Sequence, residues 1–444
     1  MKIVIAGCGE VGTHLAKLLS REEQDITVVA EDAEKLAPLD ANFNLLTIVG
    51  HPTSFRSLKE AGVASCDLFI AVTPHETRNI LACSIAKHLG AKKTVARIDN
   101  YEFMDPRNRD FFNDIGADDV IYPEYLASME ILDALKRNWV RSWFELHDGE
   151  LILVGVKLRD GAPLIGKKLK DIGREIRDFH VAAIKRNRET IIPGGDDALC
   201  PNDIVYFMST RDHVDTIAEL CGKTERRIRN VIIMGGNRIA VRLCAMAGDK
   251  YNFRILDPDK ELCLSLSEKC PDALIINADA RDTDALREAG IEEADAFIAL
   301  SESSEANILT CLSAKEFGVF KTVAQVENIQ FIPVAESLNI GTVVNKKLLA
   351  SSRIFQMLLA RDSSTSKVMA LADAEVAEIE ASEGSKITRG PVKDLHLSRD
   401  MTIAGLIRDG KGHLVGGMTV IQPGDRVVVM TLNGVIHKVE RLFS

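Results

Sequence analysis

Three glycines near the start of the chain have the spacing that cradles a phosphate. In Gly7-Cys8-Gly9-Glu10-Val11-Gly12, the first glycine permits a tight turn out of a strand. The second lets backbone amides approach a pyrophosphate, and the third lets the following helix lie close to the strand. Such a loop binds rather than breaks bonds, because its donors are main-chain N–H groups at a helix N-terminus. An acid about 20 residues on normally holds the ribose hydroxyls, but the position at the end of the second expected strand is Ala30, followed by Glu31 and Asp32. Either Glu31 reaches the ribose in its place or the nucleotide preference is altered. A second loop, Gly235-Gly236-Asn237-Arg238-Ile239-Ala240, lies 228 positions further on with complementary faults. Asn237 sets a side chain in the phosphate path, although Asn tolerates positive φ better than most residues. Ala240 is an accepted substitute for the last glycine, and Asp257 stands where the ribose acid belongs.

The same register holds at Glu60-Ala61-Gly62 against Glu288-Ala289-Gly290, Asp67 against Asp295, Asn79 against Asn307 and Asn100 against Asn328. The chain is therefore a duplicated nucleotide-binding unit. Short apolar runs alternate with amphipathic stretches, as in a parallel sheet covered by helices. Strands are expected at residues 3–6, 26–30, 45–49, 68–72 and 94–98, and in the second copy at 231–234, 254–257, 274–277, 296–300 and 322–326. A sixth, at 120–122 or 343–344, completes each sheet. Ligands of doubly wound sheets lie at the carboxyl ends of the strands. That adds Thr73 and Pro74 in the first copy, Ser301 and Glu302 in the second, and Arg97, a phosphate-neutralising cation whose counterpart is Gln325.

After each unit the pattern turns β-rich. Runs at 151–158, 181–185 and 204–208 are separated by turn signals and recur at 375–379, 402–407 and 426–430, with Pro201-Asn202-Asp203 repeated as Pro423-Gly424-Asp425. The Ser363–Ser366 run has the composition of a linker. Four domains are expected, over 1–135, 136–222, 228–360 and 363–444.

Composition narrows the function. No apolar run approaches the roughly 18 residues needed to cross a bilayer, and the first strand follows the initiator Met without room for a signal peptide, so a cytoplasmic chain is expected. A net charge of −10 argues against nucleic acid or anionic lipid as the main partner, since both are bound by clustered Lys and Arg. Nine scattered cysteines without a C-x-x-C pair predict neither disulfides nor a metal site. An NAD-dependent dehydrogenase is the rival reading, and it needs a catalytic acid or base beside the nicotinamide. His180, His213, His396 and His413 are not repeated between the β-rich modules and read as surface or packing residues. Gly161-x-x-x-x-Gly166-Lys167-Lys168 imitates a Walker A loop, but Lys168 stands where a hydroxyl must hold Mg²⁺. No catalytic residue is assigned.

The glycine loop, Ala71-Val72-Thr73, Ala96-Arg97-Ile98, Ala299-Leu300-Ser301 and Glu305-Ala306-Asn307, in an alternating order of two domain types, resemble the TrkA family. These are tandem-RCK regulatory subunits of bacterial Trk potassium uptake systems. The resemblance implies an α/β chain of two Rossmann-like doubly wound KTN domains, each followed by a small α+β TrkA C-terminal module. It implies a homotetrameric ring on the cytoplasmic face of an integral membrane potassium-translocating subunit, TrkH-like, its shape altered by NAD(H), ATP or ADP. Carried over residue by residue, the family's contacts fall on Gly7, Cys8, Gly9, Glu10, Val11, the position of Ala30, Thr73, Pro74 and Arg97. In the second copy they fall on Gly235, Gly236, Asn237, Arg238, Ile239, Asp257, Ser301 and Glu302. The sequence departs from the family pattern at Ala30, Asn237, Gln325 and Thr77, the last in place of the Glu305 counterpart. A cleft that closes differently on different ligands has differential affinity for two arrangements, which is the source of gating work. An RCK-type sensor of another ion transporter fits the same residues.

Overall fold

The computed structural model describes residues 1–20, 24–187, 189–359, 369–371, 374–432 and 436–443. They fall into two units, Met1–Lys136 with Arg227–Phe355, and Arg137–Arg226 with Gln356–Ser444. The Ser363–Ser366 run lies outside the described residues. Among the described residues no helix is long and apolar enough to cross a membrane, and no group of three or more His, Cys, Asp or Glu is placed to hold a metal ion.

The first unit holds two six-stranded parallel sheets. Across the first, the order is Leu46–Val49, Asp25–Ala30, Lys2–Ala6, Leu68–Ala71, Thr94–Arg97, Asp119–Ile121, and the second repeats it as Leu274–Asn277, Asn252–Asp257, Asn230–Met234, Ala296–Ala299, Lys321–Gln325, Thr342–Val344. Helices cover both faces, so the central strands are apolar throughout: Ile3, Val4, Ile5 and Ala6 are all buried. Each strand expected in these domains is present, with ends within two residues. Strand order reverses between Lys2–Ala6 and Leu68–Ala71, and again between Asn230–Met234 and Ala296–Ala299. A doubly wound sheet opens its ligand crevice at that switch point. The two domains share a core, in which Ala127, Ile131 and Leu135 of helix Pro123–Lys136 pack with Ile239, Ala240 and Leu243 of helix Arg238–Ala247.

The second unit holds two five-stranded antiparallel sheets. Their orders, Glu189–Ile191, Phe179–Arg186, Ile204–Ser209, Leu151–Lys157, Ser142–Leu146 and Lys411–Leu414, Met401–Arg408, Arg426–Leu432, Ala374–Glu380, Met369–Leu371, match strand for strand. Sequence reading finds the three inner strands of each sheet and misses the four edge strands, which are three to five residues long. The modules also share a core, with Leu151, Leu153, Tyr206 and Met208 meeting Val376, Ile407, Val428 and Met430. Like therefore packs on like, although the chain alternates the two domain types.

Candidate functional site

In the first sheet, Gly7 leaves the strand at φ +116 with its N–H donated to Val29 O at 2.9 Å. A Cβ there would sit 3.1 Å from Thr73 N, and one on Gly12 would lie 2.0 Å from Gly7 O. These two glycines let turn, helix Glu10–Leu19 and the end of strand Leu68–Ala71 close on one another. Gly9 differs, because its backbone is extended, a Cβ would meet nothing within 4 Å, and it caps the helix without a side-chain bond. The positive end of that helix faces open space. Val11 is buried in the packing of its own helix, so its side chain is unavailable to a ligand and its main chain is what the loop offers. Glu10 pairs with Lys347 of helix Lys346–Leu359.

The second loop has the same turn at Gly235, with φ +96, but is occupied by its own side chains. Asn237 adopts φ −73, so its tolerance of positive φ plays no part. Its side chain folds down as the helix cap. Asn237 Oδ1 accepts from Ile239 N at 2.9 Å and Ala240 N at 3.3 Å, while Nδ2 donates to Leu300 O at 2.7 Å and Gln325 Oε1 at 3.3 Å. The amides that would meet a phosphate are engaged internally, and Gln325, standing in for Arg97, helps hold the cap. Asp257 is buried, and its carboxylate accepts from Gly236 N at 2.8 Å and Asp259 N at 2.9 Å. It clamps its own loop. A Cβ on Gly236 would come 2.2 Å from Leu266 Cδ1. The first loop inverts this arrangement, with side-chain bulk at Cys8 and only a methyl at Ala30. Burial, and then the charge of Asp32, push the Cys8 thiol up from its ordinary value.

Removing the Asp257 carboxylate orphans two N–H groups. Asp257→Ala is therefore expected to destabilise the first unit by about 1–3 kcal/mol whether or not nucleotide is present. Urea titration of the free protein checks this, and an unchanged midpoint would contradict the clamp.

At the strand ends, an asparagine does in both copies what sequence reading left without a role. Asn79 Oδ1 accepts from Thr73 N at 2.8 Å and Thr73 Oγ1 at 2.6 Å, and its Nδ2 donates to Thr73 O and Arg97 O. Asn307 repeats all four bonds with Ser301 and Gln325. Each buried amide ties two strand ends across the crevice, and its signal in the sequence was the repeat itself. Pro74 and Glu302 lie exposed beside these ties. Arg97 Nη2 pairs with Asp99 Oδ1 at 3.2 Å, and its Nε is buried without an acceptor among the described residues. Arg238 of the second loop reaches the same Asp99 at 3.8 Å, and Arg242 stacks 3.5 Å from the centre of the Tyr101 ring. Glu31 turns to Arg78 Nη1 at 2.8 Å and to His51 Nε2 at 3.6 Å. Neither basic residue was singled out from sequence, because the repeat places Asp279 and Ala306 at their positions.

In the second unit a cavity of about 410 Å³ lies where the modules meet, lined by Lys170, His180, Gly194, Thr402 and Gly416 among others. His180 Nε2 is 3.1 Å from Thr402 Oγ1, its equivalent in the other module. Burial lowers the imidazole from 6.5 to about 4. The Walker-like segment is an ordinary turn in which Gly166 N donates to Leu199 O at 2.9 Å and Lys168 pairs with Asp196 at 3.6 Å.

Comparison with known proteins finds two family domains, each matched twice along the chain. The TrkA-N domain matches residues 3–123 and 231–346, and the TrkA-C domain residues 153–222 and 376–444. The Trk system potassium uptake protein TrkA of Halomonas elongata is 29% identical over 451 residues, covering 100% of this chain and 99% of that protein. Its namesake from Haemophilus influenzae is 28% identical, at 100% and 99% coverage. Among solved structures, the GsuK RCK domain superposes with a TM-score of 0.61 at 17% identity, covering 100% of this chain and 94% of that one. The GsuK channel bound to NAD gives 0.61 at 16%, covering 100% and 78%.

Proposed function

Because the chain belongs to the TrkA family, we propose that it is the nucleotide-sensing regulatory subunit of a Trk-type potassium uptake system, with its working cleft in the first Rossmann-like domain. The domains divide at 1–135, 136–222, 228–360 and 363–444, and the ligand is an adenine nucleotide of the NAD(H) class, with ATP or ADP as alternatives. The observation that carries the reading is the contrast between the two loops: the helix behind Gly9 is uncapped and open, whereas Asn237 and Asp257 satisfy the second loop from within. The first loop fits a pyrophosphate, since a Cβ at Gly9 would meet only open space and Arg97 carries a buried donor without an acceptor among the described residues. Main-chain amides from Gly7 to Gly12, with Thr73 and Arg97 at the adjoining strand ends, would hold the phosphates. The nucleotide supplies charge and shape, and the chain supplies no catalytic acid or base. It acts at the cytoplasmic face of the membrane, as a homotetrameric ring on an integral potassium-translocating partner.

Coupling between the two domains runs through Asp99. Arg97 and Arg238 both approach this carboxylate, so a phosphate drawn to Arg97 competes with Asp99 for that arginine and changes the charge balance of the Asp99–Arg238 contact that crosses the domain pair. Differential affinity of this kind for two domain arrangements typically supplies about 1–3 kcal/mol per site.

Thermal denaturation with NAD⁺, NADH, ATP and ADP tests the reading. A nucleotide at 100 times its Kd is expected to stabilise the folded chain by about 2.7 kcal/mol. Gly9→Asp, which sets a carboxylate in the phosphate path, should abolish the shift while leaving the free protein within about 0.5 kcal/mol, since the new Cβ meets nothing. No shift with any of the four would overturn nucleotide sensing, and a shift retained by Gly9→Asp would move the site elsewhere.

A further inference from the structure

The ribose ends of the two clefts are lined by different side chains. Gly50 N donates to Ala30 O and Ala278 N to Asp257 O, which places Ala30 opposite Asp257, and His51 opposite Asp279, in the two copies. His51 Nδ1 accepts from Thr53 N just as Asp279 Oδ1 accepts from Arg281 N. Arg78, in the first turn of helix Glu76–Leu89, corresponds to Ala306. The second cleft thus sets two carboxylates around the ribose position, with Arg281 on the outer one. The first sets none at the strand end, and brings a guanidinium and an imidazole together from separate elements. Asp32 and Asp259 cap the next helix in both copies and do not distinguish them. Both basic side chains face one carboxylate, Glu31, whose side chain is 52% exposed. An anion already stands between Arg78 and His51, and it is one that a side-chain rotation can remove.

A ribose acid binds the free 2′- and 3′-hydroxyls and repels a phosphate there, whereas an arginine in place of the acid accommodates a 2′-phosphate. We propose that the first cleft takes an adenine dinucleotide phosphorylated on its adenosine ribose, with Arg78 and His51 as its specificity-determining residues and Glu31 occupying their place in the free protein. This rests on the nucleotide-sensing reading above. The inference resolves the choice posed by Ala30, because Glu31 is turned to the basic pair and leaves the ribose without an acid.

Titration calorimetry of the full chain with NADPH and with NADH tests it. The unaltered chain is expected to bind NADPH at least tenfold more tightly, in line with a charge-assisted hydrogen bond to phosphate. Arg78→Gln should remove most of that preference and leave NADH within about twofold. Glu31→Gln should tighten NADPH several-fold, because it deletes the competing carboxylate, and Ala30→Asp should reverse the preference. Arg78 and Glu31 are partly exposed, so their variants carry the test even where Ala30→Asp does not fold. Equal or tighter binding of NADH, or weaker NADH binding by Glu31→Gln, overturns the inference and makes Glu31 the ribose acid. Binding of ATP or ADP alone overturns it while sparing the nucleotide-sensing reading, and binding of no nucleotide removes both.

Discussion

Arg186→Ala is expected to destabilise the first β-rich module by about 2–3 kcal/mol, because a half-exposed arginine is stripped from a carboxylate that is itself buried. Arg186 Nε and Nη2 donate to the two oxygens of Asp203 at 2.9 and 2.7 Å, and Nη2 also donates to Ala198 O at 2.9 Å. Asp203 is 1% exposed and accepts from Cys200 N as well. Truncating the arginine leaves that carboxylate buried with one N–H bond and no counter-charge. The second module repeats the device, with Arg408 on Asp425 at 2.8 and 2.6 Å and Gln422 N donating to the same acid. Burial pushes the Asp425 carboxyl up, but the bonds from Arg408 and Gln422 outweigh it and hold it below the ordinary value. Its stabilisation is therefore present at neutral pH and lost as pH falls below the ordinary aspartate range. Both tryptophans, Trp139 and Trp143, lie in the first module, so their fluorescence in a urea titration reports the Arg186 change specifically. Arg186→Ala combined with Asp203→Asn should recover part of the loss, since the uncompensated charge is gone. A loss below about 1 kcal/mol would class the pair with exposed salt bridges.

That acid shows where sequence reading stops. Pro201-Asn202-Asp203 and Pro423-Gly424-Asp425 stand out as a repeated turn, but a turn signal does not say that the aspartate points inward to an arginine on a neighbouring strand. The parallel sheets were legible almost to the residue, because strands buried on both faces must be apolar throughout. The edge strands were not, because Glu189–Ile191 and Lys411–Leu414 are held by backbone bonds to one neighbour and need little apolar sequence. At the candidate site, the Gly7 loop and Asp257 were found by spacing, while the roles of Asn237 and Asp257 turned on side-chain direction. Asn237 faces its own helix and Asp257 its own loop, so residues expected at a ligand are spent on the protein. Arg78 and His51 carry no signal in one copy alone, and they become visible only against Ala306 and Asp279. The shared cores of like domains were equally hidden, since no local pattern states which domain a helix such as Pro123–Lys136 will cover.

Acidification from pH 6.5 to 4 is expected to weaken the pair of β-rich modules by about 1–3 kcal/mol through His180, whose ring is partly open to the adjoining cavity. The imidazole lies where the modules meet, and burial lowers it to about 4 from 6.5. Thr402 Oγ1, 3.1 Å away, is a neutral partner that cannot compensate a positive charge. Above pH 6.5 the ring is neutral in folded and unfolded chains alike, and it contributes no pH dependence. Between 6.5 and 4 the unfolded chain takes up a proton that the folded one refuses, so stability falls as pH falls. Below about 4 both states are charged and the loss levels off. Carboxylates titrate over the lower part of the same range, so the informative quantity is the difference between the parent and His180→Gln, followed by urea denaturation from pH 7 to 4. That difference should be flat above pH 6.5 and grow toward pH 4 in favour of the variant. Parallel curves across the range would mean that the ring is solvated through the adjoining cavity and takes up its proton without separating the modules.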